Sequence, residues 1–164
     1  MNLKFYSTHL VSLLVFIVAA LLYFHPVLKG EKLSQSDITQ HIGMAKEVND
    51  YRLTYGVEPY WAESVFSGMP TYQIGTYFPH DYIKYIDRLI RFLPRPADYL
   101  FLYLLSFYFL IVSLNINYRY ALFGALAFGF STYLIIILGV GHNTKALALG
   151  YLPFIVSGLS LIHI

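Results

Sequence analysis

The sequence has no cysteine, which excludes a disulfide framework, a thiolate metal site and a cysteine nucleophile. It is also poor in charge. Only 12% of its 164 residues are Asp, Glu, Lys or Arg, where a soluble domain of this size carries about a quarter. The net charge of +2 is too small to gather a polyanion, so no nucleic-acid partner is expected. There is no Walker motif, GxGxxG, HExxH or GxSxG, so soluble nucleotide and hydrolase chemistry finds no support. No repeat or low-complexity tract is visible.

What is abundant is apolar surface. The chain is 57% hydrophobic, with 16 Tyr and 13 Phe, and its mean hydropathy is +0.57. Aromatic rings favour membrane interfaces. Four apolar segments stand out: Leu10 to Leu28, Ala97 to Ile116, Ala121 to Val140, and Ala146 onwards. The first three are close to the ~20 residues needed to cross about 30 Å of hydrocarbon. The first is longer than a signal-peptide core and ends in His-Pro-Val-Leu-Lys, not in small residues, so it reads as a retained span. The expected class is all-α: a polytopic transmembrane helical protein with an external loop containing amphipathic interfacial helices. Its divisions are 1–28 (N-terminus and first span), 29–96 (loop), 97–116 (second span), 121–140 (third span) and 146–164 (part of a fourth).

The last six residues, LSLIHI, match one reading frame of an adapter used in transposase-based sequencing libraries. The expectation is that Leu159 to Ile164 are translated adapter and that the natural chain continues. His163 is accordingly given no function.

The loop 29–96 holds eight basic and eight acidic residues, nearly all the charge of the chain, so polar chemistry is expected there. The short flanks place Lys4 and Arg119 on one side and Lys145 on the other. Two cations against one favour the N-terminus inside and the loop outside, because long loops translocate largely regardless of charge. The stretch 37–52 has apolar Ile38, Ile42, Ala45 and Val48 at helical spacing. The middle of the loop is rich in Gly, Pro and aromatics and reads as ordered, being too aromatic for a disordered linker. Then Ile83, Ile86, Ile90 and Leu93 form an apolar stripe beside Lys84, Arg88, Arg91 and Arg95, a basic amphipathic helix suited to the headgroup layer. Pro94 and Pro96 end it. Ala121, Ala125 and Gly129, spaced by four, are expected to let two helices approach closely in lipid.

Three groups could carry chemistry. Asp37 and His41 lie one helical turn apart just after the first span, and a carboxylate beside an imidazole can form a base or a phosphate site. The competing reading is a capping box, Ser34-Gln35-Ser36-Asp37, or a helix-dipole partner. Glu58 and Trp61 in EPYW, with Tyr72 and Gln73 in GMPTYQ, set aromatic rings beside a carboxylate, as sugar and headgroup pockets do; a loop packed on itself looks the same. Glu47, Asp50 and Arg52 read as a solvated face. His142, Asn143 and Lys145 in the turn GHNTK offer donors at a helix start, a plausible phosphate grip, against the alternative of an interfacial turn with a snorkelling lysine.

The segments QSDITQHIGMAKEVNDYR, EPYW, FSGMPTYQ, RFLPRPADYLFLY and ALAFGFSTYLIIILGVGHNTKA resemble the N-terminal part of the YfhO-like bacterial membrane proteins of the Bacteroidetes type. The resemblance reaches to about Gly158. That family is similar to the GT-C glycosyltransferases, membrane enzymes that take sugar from a polyprenyl-phosphate carrier. The resemblance implies a chain of the inner (cytoplasmic) membrane, with loop 29–96 facing the periplasm. It implies that Asp37 is the catalytic acid of the first external loop, acting as general base or orienting the acceptor hydroxyl. The donor would be a polyprenyl-phosphate-linked sugar, and the partners membrane lipids and that lipid-linked sugar. His41, Glu58, Trp61, Tyr72 and Gln73 join His142, Asn143 and Lys145 as substrate-binding candidates, with His142 and Lys145 assigned to the carrier phosphate on chemical grounds. No residue is assigned to a metal, and the need for a divalent ion is left open. Family members are longer, so this stretch alone is expected to be inactive. The rival expectation is non-enzymatic: a transporter, or a scaffold for envelope-polymer assembly.

Overall fold

The computed structural model describes residues 3–75, 78 and 80–163. The chain is mostly helical. α1 is Leu3–Tyr23, with no Asp, Glu, Lys or Arg between Tyr6 and Tyr23. At 1.5 Å per residue its 21 residues extend about 32 Å. Pro26 opens a single 3₁₀ turn, His25–Lys29, which Gly30 closes in the left-handed region at φ +81°.

The loop helices are shorter than the periodicity implies. The expected single helix over 37–52 is two: α2, Ser36–Met44, and α3, Lys46–Tyr55. The break falls at Ala45, two residues after Gly43, whose backbone freedom disfavours helix interiors. The ordered middle carries a small exception to the all-α class. β1, Trp61–Ala62, pairs antiparallel with β2, Met69–Pro70. The turn between them puts Phe66, Ser67 and Gly68 at positive φ. Ala45, Val48, Ala62, Val65 and Ile74 form a small core of their own.

α4, Ile83–Ile90, leads through Pro94 and Pro96 into α5, Ala97–Ser113. α5 stops at Ser113 where 116 was expected, because Leu114 and Asn115 form a turn with Asn115 at φ +58°. Its 17 residues reach only about 26 Å. α5 is nevertheless the axis of the molecule: every residue from Ala97 to Leu104 is buried. It packs against α1, α6 and α8. Ser12, Phe16 and Ala20 of α1 turn inward at spacings of four. So do Ala121, Ala125 and Gly129 of α6, the row of small residues expected at a close contact. A β-carbon on Gly129 would lie 2.6 Å from Leu104 Cδ2, and one on Gly150 of α8 would lie 2.5 Å from Leu102 Cδ2.

The expected third span is broken. α6, Tyr118–Gly129, and α7, Thr132–Val140, meet at 47° across Phe130 and Ser131. α8 is Asn143–His163. Among the described residues, α1 and α8 are long and apolar enough to cross a membrane, and α6 with α7 makes a third if the bent pair is one span. Leu10, Leu14, Val18 and Leu22 of α1 and Leu152, Ile155 and Leu159 of α8 are largely exposed. So much aliphatic surface outside the bundle points to an apolar surrounding.

The direction of the chain positions the site. The loop joins the end of α1 to the start of α5. The chain goes away along α5 and comes back along α6 and α7. The α7–α8 turn therefore lies at the same end of the bundle as the loop.

Candidate functional site

Loop and turn meet there. Gln35 Nε2 donates to the Leu138 carbonyl at 2.5 Å. Gly141 ends α7 in the left-handed region at φ +98°, and a β-carbon there would stand 2.8 Å from Gln35 Cβ. Glycine is required twice over, for the backbone turn and for the approach of α2. His142 follows, its carbonyl accepting the first helical bond of α8 from Ala146 at 2.8 Å. That leaves the amino end of α8, the positive end of its dipole, facing the loop.

Asp37 occupies the first turn of α2, and its Oδ2 is paired with His142 Nδ1. Asp37 does not cap its helix. The N-cap is Gln35, with no side-chain capping bond, so the Ser34 capping box does not form. Asp37, Ile38 and His41 from α2, Ile74 and Gly75 from the loop, and Gly141 to Lys145 line one cleft of about 600 Å³. That volume suits a small polar ligand. About a third of the Asp37 side chain and about half of His142 are exposed. Gly75 lies against His41, whose Cε1 is 3.3 Å from where a β-carbon would sit. The Lys145 ammonium rests 5.3 Å from the centre of the Tyr133 ring, within reach of the cleft. Among the described residues no group of three His, Asp or Glu is placed to hold a metal ion.

Five of the candidate residues, Asp37, His41, His142, Asn143 and Lys145, thus come together. The other four do not join them. Glu58 is engaged by Arg52 through two bonds, Nε to Oε2 at 2.6 Å and Nη2 to Oε1 at 2.5 Å. Those bonds hold the Glu58 carboxyl below its ordinary range. The same Arg52 Nη2 also donates to the Gly75 carbonyl at 3.0 Å, so this pair fixes the loop wall of the cleft from behind. Trp61 lies in β1, its ring packed over Gly68. Tyr72 and Gln73 are exposed and touch each other, Gln73 Nε2 lying 3.5 Å from Tyr72 Oη.

The solvated-face reading of α3 gains an addition for two of its three charges, which lie at the surface and also hold the loop. Arg52 braces the loop, and Glu47 accepts from the Glu63 amide at 3.0 Å and from the Ser64 amide at 2.8 Å. These donors, the Glu63 amide first, lower the Glu47 pKa. Asp50 fits the expectation, in an exposed pair with Lys46.

A second polar cluster was not legible as a unit. Arg91, expected among the phosphate-facing cations, is buried; its side chain is 7% exposed. Its guanidinium is paired with Asp87 on one side and with Asp98, at the start of α5, on the other. It lies 4.7 Å from the centre of the Tyr99 ring. Tyr151 of α8 donates to Asp87 Oδ1 at 2.8 Å. The hydrogen bond from Arg91 is the main cause that holds Asp87 below its usual pKa, and Arg91 is raised in turn. The sequence did hold a signal: Asp98 is an acid at the mouth of an apolar run, where an unpaired charge is costly.

No protein-family model, no curated protein and no solved structure matches this chain.

Proposed function

We propose that this chain forms the donor-side wall of a polytopic inner-membrane glycosyltransferase, with loop 29–96 on the periplasmic face, that uses a polyprenyl-phosphate-linked sugar. The observation that carries the reading is convergence. Asp37 and His41 meet His142, Asn143 and Lys145 in one cleft, although about a hundred positions separate the two groups in the chain. The cleft lies where a long apolar helix begins, the position from which a lipid-anchored headgroup is reached. Resemblance to the YfhO-like proteins, in the segments quoted above, supports the same reading.

The chemistry follows from the residue types. In inverting transfer the acceptor oxygen bonds to the anomeric carbon as the bond to the carrier phosphate breaks. The transition state is oxocarbenium-like, and the acceptor loses a proton. Asp37 takes that proton; the pair with His142 engages Oδ2, which leaves Oδ1 for the acceptor hydroxyl. The departing phosphate keeps the bonding electrons. Lys145 and the first amides of α8 stabilise its charge.

The pairing itself favours a second reading. Asp37–His142 and Gln35–Leu138 together clasp the loop to the α7–α8 turn, which a transporter or an assembly scaffold would equally use. One comparison separates them: sugar transfer from a polyprenyl-phosphate donor by the reconstituted full-length protein, by its Asp37→Asn variant and by its Asp37→Ala variant. Loss of a general base lowers the rate by about 10²–10⁴-fold in both variants, with thermal unfolding unchanged in Asp37→Asn. A protein whose Asn variant transfers sugar at the wild-type rate does not use the charge, and the enzymatic role of Asp37 is then refuted.

A further inference from the structure

A groove of about 900 Å³, larger than the cleft at Asp37 and sharing no lining residue with it, runs between α4, the start of α5 and α8. Its two sides differ in chemistry. Lys84 and Arg88 of α4, with Arg95 just before α5, supply cations on one side. On the other, Ala148, Tyr151 and Ile155 recur at spacings of three and four, one face of α8. Ile155 follows Asn143 by twelve residues, so this strip descends about 18 Å from the start of the helix.

The charges leave an excess of cations. Arg91 is satisfied by Asp87 and Asp98, and its single charge offsets one of the two. Arg95 stands 3.8 Å from Asp98 with a side chain 60% exposed. Over the whole lining Lys84, Arg88, Arg91 and Arg95 face Asp81, Asp87 and Asp98, an excess of one cation, and Arg88 and Arg95 are its exposed cations. The groove is also open sideways. Ile83 is 76% exposed, Ile86 62% and Ile155 60%.

The geometry points to an anionic phospholipid of the surrounding bilayer as the occupant, its phosphate at Arg88 and Arg95 and one acyl chain along Ala148, Tyr151 and Ile155. A cationic side facing an apolar strip along a candidate span fits an anionic amphiphile. The open side admits it from the bilayer. A sugar carrier anchored here would have its phosphate outside the cleft at Asp37. The inference rests on α8 as a membrane span, and not on sugar transfer.

The test is electron paramagnetic resonance of spin-labelled phosphatidylglycerol and phosphatidylcholine around the protein in lipid nanodiscs. Both labels show a motionally restricted fraction, and that of phosphatidylglycerol is the larger. Arg88→Gln with Arg95→Gln removes the excess, each cation accounting for about fivefold in relative affinity at most. Ala148→Trp, which fills the groove and keeps every charge, removes it too. Equal restriction of the two lipids by the unmodified protein overturns the proposal, as does an excess that survives the double substitution. Displacement of the labelled lipid by inorganic phosphate, or by a polyprenyl phosphate at trace level, gives the groove to a different anion and overturns it as well. If neither lipid is restricted, the spanning reading falls with it.

Discussion

Replacing Arg91 by Met tests how α4 is held to the bundle. The guanidinium joins three elements: Asp87 of α4, Asp98 of α5 and, through Asp87, Tyr151 of α8. Met keeps most of the side-chain volume and removes the charge. Asp98, 3% exposed, is then left without its closest cation. Breaking a buried pair from one side costs about 3–5 kcal/mol, largely the penalty of the stranded charge. Polar contacts within membranes average nearer ~0.6 kcal/mol, because the unfolded chain in lipid finds other partners. Arg91 lies before the start of α5, so the loss belongs near the larger figure, at about 3 kcal/mol. Arg91→Met with Asp98→Leu removes both charges of that pair and recovers much of the loss.

The pH dependence has a definite sign. Asp87 has a folded pKa below its unfolded value of about 3.9. Its contribution is therefore complete above that value and is lost as pH falls through the folded one. In Arg91→Met the main cause of the depression is gone and the stranded acids are relieved by protonation, so the deficit against the parent shrinks on acidification. Unfolding in detergent, followed by tyrosine and tryptophan fluorescence across pH, measures both effects. A deficit under ~1 kcal/mol at neutral pH, or one that grows on acidification, refutes the assignment of Arg91 as a buried bridge.

Two further outcomes concern glycines. Gly141→Ala forces a β-carbon into the left-handed region and to within 2.8 Å of Gln35 Cβ. It costs about 1–2 kcal/mol and releases α2 from the turn, read as faster hydrogen exchange at the Thr39 amide, which bonds the Gln35 carbonyl; unchanged exchange there contradicts the docking. Gly150→Ala drives a methyl to 2.5 Å from Leu102 Cδ2 at the α5–α8 contact and destabilises by about 1–3 kcal/mol, measured by the same fluorescence transition. A neutral result means that the two helices do not approach as closely as described.

What the sequence determined by itself is what depends on neighbours a few positions away. The length and purity of the first apolar run specified α1, since about 20 uncharged residues in helical rise match a bilayer. The row Ala121, Ala125 and Gly129 announced a close contact, because helical spacing puts all three on one face. Pro94 and Pro96 marked the entry to α5, and Asp37 with His41 marked one wall of the cleft. The tertiary structure alone decided what depends on distant neighbours. It bent the third apolar run at Phe130 and Ser131, although no proline marks the site. It withdrew Arg91 from the cationic stripe: Asp87 and Asp98 are only four and seven positions away, but Tyr151 of α8 closes the cluster from across the fold. It separated Glu58, Trp61, Tyr72 and Gln73 from Asp37, and it brought His142 to that carboxylate across more than a hundred residues. The physical reason is the range of the interactions. Helix periodicity is written locally, whereas a buried charge takes whichever partner the packing supplies.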